Sequence, residues 1–177
     1  MNTLTSPSPT FSWRRILLDG GAMSGALGAL IVSPLAINAE MWVNDYPSDI
    51  KKAFGSKSKK AQIQERILAI PFFGIILGGV IWSNRKLRRE NGGTLTFKAT
   101  FWHTYALFAC FWLFDLTILD WLLFVTFTPR FVVLPGTEGM AGYNDYGFHL
   151  KVSLPALLFM AIPALIVALF MQNNATS

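Results

Sequence analysis

Residues 67–82 read ILAIPFFGIILGGVIW. No charge interrupts them, and the apolar side chains occupy the whole helical circumference rather than one stripe. A helix on the surface of a soluble domain keeps a polar face at the 3.6-residue period. This segment has none, which argues for a bilayer and against a soluble bundle.

Working outward, three more stretches are alike. Residues 20–39 and 152–177 carry no charge, and residues 99–129 carry only Asp115, Asp120 and the titratable His103. A helix needs roughly 20 apolar residues to cross about 30 Å of hydrocarbon, and each stretch supplies that length. The chain of 177 residues is 53% hydrophobic and 14% charged, where soluble domains run at about 25% charged. Trp13, Trp42, Trp82 and Trp102 fall near the ends of these stretches, where indole rings favour the headgroup layer. The expectation is an all-α membrane protein: four transmembrane helices (about 16–39, 67–84, 103–126 and 152–171) in an antiparallel bundle, with a structured loop between the third and fourth. Residues 1–12, rich in Ser, Thr and Pro, are expected to be a disordered tail, and 13–177 a single domain. SWRRILL resembles an export signal, but the apolar run that follows continues past Pro34, beyond the roughly 7–15 residues of a signal core. It is therefore read as a retained first helix.

The net charge is +5. In a soluble protein that would suggest nucleic acid; in a membrane protein it suggests basic loops on anionic headgroups, so the expected partner is the lipid bilayer and no nucleic acid. A homo-oligomer or a membrane partner is compatible with four spans. Seven basic residues fall on the side of the N-terminus and second loop and eight on the other. Those of the short second loop lie closest to span ends, where the positive-inside rule acts, so the termini are expected to be cytoplasmic. The lone Cys110 excludes an intrachain disulfide and a multi-cysteine metal site. No HExxH, CxxC, nucleophile elbow or paired-histidine spacing appears, so no metal or cofactor is indicated.

Small residues line one face of the first span (Gly21, Ser24, Gly25, Gly28, Ala29), and the second contains Gly74 and Gly78 as GxxxG. Between helices in lipid, close backbone approach replaces the hydrophobic push. The first two spans are expected to pack tightly.

Residues 111–124, FWLFDLTILDWLLF, raise the functional question. A charged carboxylate at mid-bilayer costs about 2.5–3.5 kcal/mol on insertion scales, more than the roughly 0.6 kcal/mol that one interhelical hydrogen bond returns. Asp115 and Asp120 must therefore be protonated, paired or facing water. At about 100° per residue they stand about 140° apart, bracketing an arc with Tyr105 and Trp112, whose O–H and N–H could serve the carboxyls. His103 points the other way and is read as interfacial. At the Asp120 end the first loop brings Glu40, Trp42, Asn44, Asp45, Tyr46 and Asp49, and the third brings Arg130, Glu138, Tyr143, Asn144, Asp145, Tyr146 and His149. The candidate site is Asp115, Asp120, Glu40, Asp45, Arg130, Glu138, Tyr143, Asp145, His149 and Trp112. Three functions fit: a carrier handling a small ligand, proton or cation; a membrane enzyme using Asp/His acid–base chemistry on a lipid-like substrate; or an accessory subunit of a membrane complex. Residue types alone do not decide whether it is an enzyme.

Overall fold

The computed structural model describes residues 12–173. The expected tail at 1–12 lies outside these except for Ser12, whose hydroxyl accepts the Arg15 N–H and caps the first helix. The fold is all-α, with no strand among the described residues. Helix α1 runs Trp13–Ile37, α2 Ser48–Phe54, α3 Lys59–Glu90, α4 Phe97–Phe114, α5 Tyr146–Phe159 and α6 Ala161–Asn173. From Asp115 to Phe127 the α4 helix continues with wider π-helical turns. Short 3-10 turns occupy Ala39–Asp45, Arg130–Val132 and Ala141–Asn144. Four helical runs are long and apolar enough to cross a bilayer: Trp13–Ile37, Lys59–Glu90, Phe97–Phe127 and Tyr146–Met171.

Local chemistry sets the boundaries. Ser58 and Thr96 accept the N–H of Ala61 and Ala99, starting α3 and α4 as N-caps. Glu40 accepts from both N–H and hydroxyl of Ser58, which ties the first loop to the start of α3. At 32 residues, α3 is about 48 Å long, so its polar first turns, Lys59 to Arg66, project beyond the hydrocarbon. In the fourth span α5 gives way to α6 at Met160, between Pro155 and Pro163. A proline lacks the N–H that would continue the ladder. Tyr105 donates to Leu157 O at 3.0 Å and the Trp112 indole to Ser153 O at 3.1 Å, so α4 is tied to the fourth span through its carbonyls.

Packing centres on α4, which lies against α1 and α6, while α1 also touches α3. Ser24, Ser83, Asn84, Thr100, His103 and Thr104 are buried, whereas Leu17, Ile70, Phe73, Leu158 and Ile166 are exposed. Polar groups inside and large apolar groups outside is the distribution lipid imposes. The tight contact is not where the small residues suggested. A Cβ on Gly28 would sit 2.7 Å from the Phe114 ring and one on Gly20 3.0 Å from Cys110 Cβ, so the first span presses on α4. Its contact with α3 is looser: a Cβ on Gly79 would sit 3.3 Å from Met23 Sδ, and one on Gly74 or Gly78 would meet nothing within 4 Å. The GxxxG pair faces outward because α3 leans on α1 through Gly79 and Ser83 instead.

The third loop is a packed cap. Tyr46, from the first loop, donates to Val132 O at 2.7 Å, and the Asp49 carboxylate accepts the Gly142 N–H at 2.9 Å. Thr137 donates to Leu134 O, so Tyr143 must donate to Thr137 Oγ1 at 2.7 Å while accepting the Leu134 N–H at 2.9 Å. Around these bonds, Leu35, Val43, Ile50, Phe124 and Val132 form an apolar cluster beneath the cap.

Candidate functional site

Under that cap lies a cavity of about 460 Å³. Its polar lining is Asp45, Asp115, Asp120, His149, Lys51, Asn44 and Ser153, and much of the rest is apolar or aromatic, including Trp42, Tyr46, Phe72, Phe111, Phe124 and Phe148. The end of α1, the first loop, the π-helical segment and α5 supply most of the wall, with single residues from α2, α3, α4 and the third loop.

The π-helical segment brings the two aspartates onto the cavity wall together. In an α-helix residues five apart diverge by about 140°. With i→i+5 bonding, residues five apart stand nearly one above the other, as i and i+4 do in an α-helix. Thr126 donates to Trp121 O and the Thr128 N–H to Leu123 O, each five residues back. Wide turns of this kind recur at functional sites.

Asp120 Oδ1 lies 3.2 Å from His149 Nδ1. An ionised carboxylate only accepts, so a hydrogen bond here places the proton on Nδ1, and in that tautomer of the neutral ring Nε2 is a bare lone pair. Nε2 is buried and has no partner among the described residues. The ring packs edge-on against Phe124, centroids 5.0 Å apart, and His149 is 4% exposed. The carboxyl of Asp115, half-buried, has no hydrogen bond or ion pair among the described residues. The expectation that Trp112 and Tyr105 serve the aspartates is not met, since both donate to carbonyls of the fourth span.

At the mouth, Asp45 is open to solvent at its own surface but hemmed in by the surrounding loops. That enclosure pushes its carboxyl above the ordinary value, against the pull of Lys57. Burial also pushes the Tyr46 phenol upward, which keeps it protonated as the donor to Val132 O. The Lys51 ammonium is held by Asn44 O at 3.2 Å.

The remaining candidates lie elsewhere. Glu40 braces Ser58, and Asp145 caps α5 by accepting the Phe148 N–H. Glu138 accepts the Gly136 N–H in an exposed turn, Arg130 is exposed, and Tyr143 is the buried pillar of the loop. None of these five lines the cavity; nor does Trp112. Polar residues of long loops often serve the loop's own backbone, and these do.

A second polar cluster, absent from the candidate set, closes the opposite end of the bundle. Arg15 pairs with Asp19 at 3.2 Å and with Glu90. Ser83 donates to Asp19 at 2.7 Å and contacts His103 Nε2 at 2.9 Å. With the Ser83 proton committed to Asp19, His103 Nε2 must be the donor to Ser83. His103 is fully buried, not interfacial. Asn84 donates to Thr104 Oγ1 at 2.8 Å beside it. The order Asp–Ser–His is not that of a nucleophilic triad, in which the carboxylate orients the histidine; here it holds the hydroxyl. The cluster joins α1, α3 and α4. Its signals in the sequence were Arg15 and Asp19 one turn apart and the Ser83–Asn84 pair ending a charge-free span.

No family model, curated protein or solved structure matches this chain. The site must therefore be read from its own chemistry. Among the described residues no three His, Cys, Asp or Glu side chains are grouped to hold a metal ion.

Proposed function

We propose that this multi-pass membrane protein takes up a small cationic ligand, a proton included, at Asp115, Asp120 and His149. One arrangement carries the reading: an unpartnered carboxyl and a carboxylate–histidine pair with a bare, buried Nε2 line one cavity beside apolar walls. Buried polar groups without partners are costly, and a proton or cation supplies what Asp115 and Nε2 lack.

The test is the unfolding temperature of the protein in nanodiscs against a panel of inorganic and organic monovalent cations. A cation that binds the folded state raises it with concentration. The rise should compete with acidification and vanish in Asp115→Asn. No cation-dependent rise, or an unchanged one in Asp115→Leu, overturns the proposal.

The Asp120–His149 pair favours a second reading, general-base catalysis, since an aspartate on Nδ1 leaves Nε2 as the base. No hydroxyl or thiol partners Nε2 among the described residues, so the base would act on water or on the substrate itself. Recovery of a bound ligand chemically unchanged separates binding from this catalysis. For sidedness, we infer cytoplasmic termini from the basic residues beside Glu90. Lys57→Cys and Arg88→Cys should label from opposite faces, with Arg88→Cys inside.

A further inference from the structure

We infer that the occupant of this cavity is an organic cation, an ammonium carried on an apolar or aromatic body, rather than a bare proton or a metal ion. The inference rests on the cation reading above and narrows it by size, charge and wall chemistry.

Size comes first. About 460 Å³ lies within the roughly 300–1,000 Å³ of small-molecule sites, whereas a desolvated monovalent ion needs a small part of it. A metal would also need converging ligands, and no such group exists among the described residues.

Charge comes second. The cavity presents the carboxyls of Asp45, Asp115 and Asp120 against the ammonium of Lys51, with His149 the other titratable group on the wall. Lys51 is turned to Asn44 O, and His149 is already engaged with Asp120. The balance favours a positive guest, and neither the Asp45 nor the Asp115 carboxyl has a hydrogen bond or ion pair among the described residues.

The walls come third. Rings of Trp42, Tyr46, Phe72, Phe111, Phe124 and Phe148 line the space between these charges. A hydrated inorganic ion gains nothing from such walls. An alkyl- or arylammonium buries its body against them and can place its charge near ring faces, as amine-binding aromatic cages do. Trp42 Nε1 is buried without a partner, a donor that an oxygen on the guest could meet.

Equilibrium dialysis of the full chain in nanodiscs, with empty nanodiscs subtracted, tests this. The probes are phenethylammonium, its neutral counterpart 2-phenylethanol, and sodium or magnesium ions. Saturable phenethylammonium binding is expected, at least about tenfold tighter than the alcohol. Asp115→Asn should abolish that preference, and Phe111→Leu should weaken ammonium binding by about tenfold, the scale of one desolvated ring–cation contact. Should Asp115→Asn fail to fold, lowering the pH on the wild type serves instead: ammonium binding falls as the carboxyls protonate, and alcohol binding does not. Equal binding of the alcohol overturns the inference. Binding of sodium, magnesium or protons without phenethylammonium overturns it too, but leaves the cation reading standing. Failure of every cation, protons included, removes both.

Discussion

Replacing Asp120 with Leu and His149 with Phe, singly and together, probes the pair on which the site is built. The two partners differ in exposure: the His149 side chain is 5% exposed and that of Asp120 26%. Asp120→Leu strands the buried Nδ1–H with no acceptor, which should destabilise the protein by about 1–3 kcal/mol. His149→Phe leaves a carboxylate that can turn to water, and the new ring keeps the edge contact with Phe124, so its cost should be under about 1 kcal/mol. The double variant removes donor and acceptor together and should be about as stable as His149→Phe alone. The cycle would then report a coupling of about 1–3 kcal/mol. Equilibrium unfolding in mixed dodecyl maltoside and SDS micelles measures each variant. If the single effects add within about 0.5 kcal/mol, the pair does not form, and the assignment of Nε2 as the open nitrogen goes with it.

Gly28→Ala should destabilise the bundle by about 1–3 kcal/mol through the Phe114 ring, whereas Gly78→Ala, with open space around its Cβ, should be neutral or stabilising by up to about 1 kcal/mol; thermal unfolding of the two side by side checks which small face packs. Tyr143→Phe orphans the Leu134 N–H and should cost about 1–3 kcal/mol, with proteolysis of the third loop rising as the visible consequence. Asp19→Leu removes the acceptor of Ser83 and a partner of the buried Arg15, a loss of about 3 kcal/mol that Arg15 can soften by keeping Glu90; unchanged detergent stability would refute the cluster. The raised carboxyl of Asp45 makes the folded state hold its proton more tightly than the unfolded chain, so this group stabilises in acid and ceases to as pH rises through its folded value. Asp45→Asn should flatten that decline in a pH series of unfolding midpoints.

The aspartates show how far sequence reasoning reached. Their presence in apolar surroundings required a partner, water or a proton, and the structure places both on a cavity wall, with His149 beside Asp120. Their mutual angle could not be obtained that way, because the 100° step assumes i→i+4 bonding and the segment is π-helical. No residue type announces a π-turn, and the segment that adopts it packs against α5 and the loop cap. For the loops, carboxylates and tyrosines could be assigned to one end of the bundle, but not divided between cavity and backbone. Asp145 and Glu138 accept N–H groups three and two residues away, while Glu40 reaches Ser58 across the first loop.

Sequence alone pointed to the medium and fixed the helical class. Three charge-free runs of spanning length, and a fourth interrupted only by Asp115 and Asp120, point to lipid, and in lipid the backbone must bond within each segment, so a helical bundle follows from composition and length. Tertiary structure decided which helix faces meet and which polar atoms remain unpaired. Gly28 packs while Gly78 does not, and His103 is sealed in while Asp115 is left open, because these outcomes depend on neighbours distant in the chain. Local propensity carries no information about such neighbours.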